Sequence, residues 1–219
     1  MAREAVRKSA VLLKNDAATL PLSPDLTSLL IAGQAADDIG IQCGGWTIEW
    51  QGTPGDITVG TTLLAALKTE LSPGVSVKFS PHGEFPDDMG PAQVGIVVAG
   101  ELPYAEGMGD APDLHLSDED RALIQKMRAC CERLVLILYN GRPLIITDEL
   151  ELCDAVVIAW LPGTEGLGLA DVLLGAFPFE GKLPFSWPKN MEQLPLSGLK
   201  ADSDAPLFPF GYGLTTPPE

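Results

Sequence analysis

Histidine occurs only twice in this chain, at His82 and His115, and cysteine four times, at Cys43, Cys130, Cys131 and Cys153. No Cys-x-x-Cys pair exists, so the usual spacings of a structural zinc site are missing. Two histidines on separate segments do not suit a Ser-His-Asp triad. No Gly-x-Ser-x-Gly elbow, P-loop or His-Glu-x-x-His is present either. Neither a metal nor a cofactor is expected. Four reduced thiols are the simplest reading of the cysteines, with Cys130 and Cys131 placed in a helix where adjacent side chains diverge.

Basic residues are scarce as well: 14 Lys and Arg stand against 30 Asp and Glu, a formal net charge of −16. That field repels phosphate backbones and anionic headgroups, which makes nucleic acid and membrane poor partners. A neutral ligand such as a sugar is compatible with it. Long apolar runs are missing; stretches such as residues 155–162 fall far short of a bilayer span. The chain opens Met1-Ala2-Arg3-Glu4-Ala5-Val6-Arg7, with charges and no apolar core, so no signal-peptide pattern is visible and the compartment stays open.

What is present is a core-forming pattern. Apolar residues make up 46% of the 219 residues, which excludes a disordered chain. Continuous apolar runs at residues 29–33, 94–99, 134–139 and 155–159, with a short alternating one at 75–79, read as strands. Helical patterns separate them at 61–71, 117–131 and 166–174. Ser117 reads as an N-cap followed by Asp118, Glu119 and Asp120, which suit the positive end of the helix. Strands that are apolar throughout predict a mainly parallel sheet covered on both faces, a doubly wound α/β sandwich in a single domain. Residues 27–219 form that domain. Residues 1–26 lack clear alternation and read as a linker-like segment packed on it, and the Pro-rich end, 206–219, reads as irregular.

In such sheets ligands sit beyond the carboxyl ends of the strands. One segment there is Gly100-Glu101-Leu102-Pro103-Tyr104-Ala105-Glu106-Gly107-Met108-Gly109-Asp110, with three carboxylates on a Gly/Pro-shaped loop. A general acid is a carboxyl held near an acceptor. Glu101, immediately after its strand, is the best placed, with Glu106 and Asp110 further along; an ordinary acidic surface loop is the alternative. A second segment, residues 42–52, carries two of the chain's four tryptophans, Trp46 and Trp50, in a Gly-rich setting. A flat aromatic face suits the C–H face of a sugar. Trp50 reads rather as a core plug, and for Trp46 both readings stand. The turn Asn140-Gly141-Arg142-Pro143 reads as structural, with Arg142 available to pair with an acid. Residues 162–168, rich in glycine, open a helix whose N-terminus suits phosphate, though close helix–sheet packing explains those glycines too.

Six stretches together resemble glycoside hydrolase family 3, particularly its exo-glucanase and β-glucosidase members. They are residues 2–15, 42–52 and 100–110, then Ala159-Trp160-Leu161-Pro162-Gly163, Gly181-Lys182-Leu183-Pro184-Phe185 and Phe210-Gly211-Tyr212-Gly213-Leu214, in family order along nearly the whole chain. The resemblance implies that this is the second domain of a retaining exo-acting β-glucosidase or β-glucanase. In that family an Asp nucleophile sits on a preceding N-terminal barrel domain, absent from these residues. The α/β domain lends an acid/base Glu to the shared cleft. By position that Glu is Glu101, with Glu106 as its competitor, and Trp46 corresponds to an aromatic wall of the aglycone subsite. Leu102 and Met108 stand where relatives vary or are often polar, which leaves subsite specificity open. The implied substrate is a β-glucoside or β-glucan, the implied setting secreted or periplasmic, and the chain alone is expected to be inactive. The rival expectations are a stand-alone carbohydrate-binding module and a nucleotide- or phosphate-binding α/β protein.

Overall fold

The structure, a computed structural model, describes residues 1–86, 88, 90–196 and 205–216. Six strands form one sheet: β1 (Val11–Asn15), β2 (Ser28–Ala32), β3 (Ser76–Ser80), β4 (Ala92–Gly100), β5 (Cys131–Tyr139) and β6 (Ala155–Trp160). Their order is β1-β6-β5-β4-β2-β3, parallel throughout except for β1, which runs antiparallel to β6.

The unbroken apolar runs have a direct cause. Along β5, Val135, Ile137 and Tyr139 enter one core, whereas Leu134, Leu136 and Leu138 enter another on the opposite face. Successive side chains of a strand point to opposite faces, so a strand covered on both sides must be apolar at every position. The first core is closed by α1 (Ala2–Ser9), α3 (Leu63–Glu70) and α6 (Gly166–Leu173), with Leu63, Leu67, Leu169 and Leu173 fully buried. The second is closed by α4 (Asp118–Arg128), through Leu123, Ile124 and Met127, with α5 (Thr147–Leu152) beside it. Edge strand β3 exposes Ser76 and Lys78 and half-buries Val77 and Phe79 between and after them, which accounts for its alternating pattern. The doubly wound, mainly parallel sandwich is the fold expected.

Three local expectations change. Residues 1–26, read as linker-like, supply α1 and the edge strand β1 of the same sheet. Helix α1 is polar, burying only Val6, and docks through ions: Arg3 and Arg7 both donate to Asp171 on α6. The fourth helix stops at Arg128 rather than continuing through residue 131. There the Arg128 guanidinium donates to the carbonyls of Cys131 and Glu132, and Cys131 opens β5 opposite Ala92. A short helix not foreseen, α2 (Ile39–Cys43), is capped by the Asp38 carboxylate, which accepts from the Ile41 amide at 2.9 Å. The expected irregular tail is described as far as residue 216, where Phe208 bridges Trp187 and Leu214 bridges Leu12; residues 217–219 lie outside the described residues.

Candidate active site

Strand β4 ends at Gly100, whose φ of 142° and position against β5 admit no side chain: a Cβ there would meet the Tyr139 carbonyl oxygen at 1.9 Å. The next amide, Glu101, donates to that carbonyl at 2.9 Å. The Glu101 side chain is therefore delivered to the top of the sheet between β4 and β5. There Arg142 donates to Oε1 from Nε at 2.7 Å, and its second terminal nitrogen lies 2.6 Å from the same oxygen in an ion pair. The Tyr104 hydroxyl donates to Oε2 at 3.0 Å, and the Gly141 amide approaches the same oxygen at 3.4 Å. The expected pairing of Arg142 with an acid is thus made, and the acid is Glu101.

Glu106 has the opposite surroundings. It starts the 3₁₀ turn Glu106–Gly109, is exposed, and adopts φ 52°, a left-handed conformation that non-glycine residues rarely take. Among the described residues its carboxylate pairs with no cation. Leu102 and Met108 beside it are exposed, and Asp110 faces solvent. Tyr104 underlies the loop. Burial first, then the neighbouring Glu101 carboxylate, push its phenol up to about 12, so it remains a donor at neutral pH. Burial likewise pushes up the carboxyl of Asp120, at the start of α4, against an opposing hydrogen bond from the Gly100 backbone.

The tryptophan segment divides sharply. Gln42 is fully buried. Its amide nitrogen donates to the carbonyls of Thr61 and Gly163, and its amide oxygen accepts from the Leu63 amide and the Tyr139 hydroxyl. Cys43 is buried too, and burial pushes its thiol up, leaving it protonated. Beyond Gly44 the chain emerges. Trp46 is 67% exposed and Trp50 53% exposed, so Trp50 is not the core plug expected of it. The two rings stand 6.4 Å apart at 58°. Trp46 and Ile48 are both left-handed, at 65° and 64°. This loop is stitched to the carboxylate loop: Gln51 Oε1 accepts from the Ala105 amide at 3.0 Å, and Gly45 lies so close that a Cβ would meet the Tyr104 carbonyl at 2.1 Å.

Between the two loops lies an open cavity of about 210 Å³, lined by Trp46, Glu101, Tyr104, Glu106, Gly141 and Leu161. Leu161, one residue short of the segment singled out beyond β6, was not anticipated; an exposed leucine directly after a strand is its signal. The glycine-rich start of α6 proves to be a packing device. The Gly166 amide donates to the Thr61 carbonyl at 2.9 Å, and a Cβ on Gly166 would meet that oxygen at 2.5 Å. Among the described residues no group of His, Cys, Asp and Glu has the arrangement of a metal site.

The fold is a six-stranded α/β sandwich with two adjoining irregular loops at its strand ends, one bearing carboxylates and the other exposed indoles, with an open cavity between them. Residues 10–216 match the glycosyl hydrolase family 3 C-terminal domain, and the chain belongs to that family. It is similar to the lysosomal β-glucosidase of Dictyostelium discoideum, at 32% identity over 95% of this chain and 28% of that protein. The periplasmic β-glucosidase of Salmonella typhimurium is 28% identical over 98% of this chain and 34% of the relative. Among solved structures, the exo-1,3/1,4-β-glucanase of a Pseudoalteromonas species superposes with a TM-score of 0.89 at 42% identity. It covers 97% of this chain, which spans 28% of that one. The β-glucosidase of Listeria innocua gives 0.80 at 27% identity, over 97% and 33%. The chain thus spans about a third or less of the proteins it matches.

Proposed function

We propose that this chain is the second domain of a retaining β-glucosidase or exo-β-glucanase, supplying the acid/base carboxylate and an aromatic wall to a cleft completed by a preceding domain. Retaining hydrolysis uses two carboxylates about 5–5.5 Å apart, one attacking the anomeric carbon, the other protonating the leaving oxygen and then activating water. The exposed apolar side chains of Trp46, Ile48, Trp50, Leu102, Met108 and Leu161 lie on the loops at the strand ends, a concentration that suits a covered face. Trp46 then stacks on the aglycone.

The observation that carries the assignment within the loop is the contrast between its two glutamates. Glu101, favoured both by its position directly after β4 and by family resemblance, has both carboxylate oxygens engaged by donors, and reaching a glycosidic oxygen means breaking its pair with Arg142. Glu106 is free, borders the cavity and is held in a left-handed conformation of the kind that gathers at working sites. In this reading Glu106 is the acid/base and Glu101 the anchor of its loop. In this reading the nucleophile comes from the preceding domain, so the chain by itself turns over no 4-nitrophenyl β-glucoside above buffer. Joined to a family 3 barrel domain it does. Turnover by the purified chain alone, abolished by Glu106→Gln, would contradict the shared-cleft reading.

A further inference from the structure

We propose that Arg142 is a positioning residue for the carboxylate loop, setting where Glu106 stands without touching substrate itself. This rests on the assignment of Glu106 as the acid/base. Arg142 lies in the turn after β5, where its own carbonyl accepts from the Asn140 side-chain amide at 2.7 Å. From there its guanidinium reaches three points of the neighbouring loop. It donates to and ion-pairs with Glu101 at the loop's first stem, and donates to the Gly109 carbonyl at the second stem, at 2.6 Å. Its plane lies over the Tyr104 ring, 4.5 Å from the centroid, and that ring packs on Gly109, where a Cβ would meet Tyr104 Cδ2 at 2.1 Å.

Every one of these contacts falls on a stem; residues 105–108, including Glu106, form the tip between them. The side chain of Arg142 is 27% exposed and that of Glu101 15%, so the pair is largely out of water, where geometry rather than net charge decides its strength. A planar fork with five donors can hold two acceptors on opposite sides while stacking on an aromatic ring. A lysine ammonium in its place offers one nitrogen and no plane. The tip is tied to the tryptophan loop through the Ala105 amide, which donates to Gln51, and the rest of its position comes from its stems; a misplacement of about 1 Å at a reacting group costs on the order of 100-fold in rate.

Two measurements on Arg142→Met test this together. In the isolated chain, hydrogen exchange of the amides at residues 102–108 should speed up at least about ten-fold while amides of β4 and β5 stay protected. In the two-domain enzyme, with the losses read in kcat/KM, which reports glycosylation, that for an alkyl β-glucoside should drop about 100-fold and that for 2,4-dinitrophenyl β-glucoside only a few-fold; kcat and KM for the activated substrate should fall together as the second step slows. Arg142→Lys should regain only a small part of the loss on the alkyl substrate. Unchanged exchange at 102–108 overturns the proposal, as does equal loss on both substrates or full recovery with lysine. Glu106→Ala serves as the control. If it does not itself discriminate between the two leaving groups, the acid assignment has failed and the catalytic part of the proposal fails with it, whereas the exchange result continues to decide the clamp.

Discussion

Asp171 and Glu101 are both carboxylates gripped by arginines, yet one closes structure and the other borders an opening. Asp171 sits on α6, 4% exposed, and accepts from Arg3 at 2.6 Å and from Arg7, whose guanidinium also lies over Phe177. Both arginines come from the regular helix α1, and Gly168 lets α1 approach until a Cβ would meet the Arg3 carbonyl at 2.6 Å. Glu101 is held by as many donors, but the backbone around it leaves ordinary conformations at Trp46, Ile48 and Glu106. The same ionic device thus docks a polar helix in one place and braces an irregular, apolar, solvent-facing loop in the other. Three left-handed non-glycine residues on the two adjoining loops, with exposed apolar side chains beside them, set the second place apart from the first.

The largest effect on stability belongs to the closed site. Asp171→Asn should cost about 2 kcal/mol at neutral pH, because it leaves charged donors without their acceptor. Urea titration should register that cost with the loop amides 102–108 unaffected. The acid dependence follows from the same group. Desolvation alone would raise the Asp171 carboxyl, but the hydrogen bonds and charges of Arg3 and Arg7 outweigh it, holding the carboxyl below the usual range. A folded-state value below the unfolded value of about 3.9 means that the stabilisation is complete above that pH and is lost as pH falls through the folded value. The gap between the native chain and Asp171→Asn should therefore close below about pH 4.

A smaller effect of opposite sign sharpens the contrast. Glu106→Gly relieves a left-handed residue that makes no compensating contact, and should raise stability by about 0.5 kcal/mol in the isolated chain. A loss of stability would mean that the Glu106 side chain supports the loop rather than being presented by it.

How much of this was legible in the sequence depends on what each segment packs against. Strands β2, β4, β5 and β6 were readable because burial on both faces writes a continuous apolar run. Strand β1 was not, because Val11-Leu12-Leu13 is too brief a signal and polar α1 depends on Asp171, 164 or more residues away in sequence. The end of α4 was misplaced because its stop comes from Arg128 hydrogen-bonding across a turn, not from a glycine or proline. Trp50 was misread because composition cannot say which indoles face outward; that depends on the chain emerging at Gly44. The carboxylate loop stands out in the sequence by its Gly/Pro shape, and Arg142 stands there as a cation available to an acid. Which glutamate Arg142 engages, and which it leaves free, depends on β4 and β5 being neighbours, a fact of topology.

The most direct test of the account compares Glu106→Ala and Glu101→Ala in the two-domain enzyme, using 2,4-dinitrophenyl β-glucoside with and without azide. A small anion attacks the glycosyl-enzyme without base assistance, so it restores turnover where the missing group is the acid/base. Azide rescue and a glucosyl azide product are expected for Glu106→Ala, with no rescue for Glu101→Ala. Rescue at Glu101 and none at Glu106 would contradict it and return the acid/base role to the residue now read as the anchor.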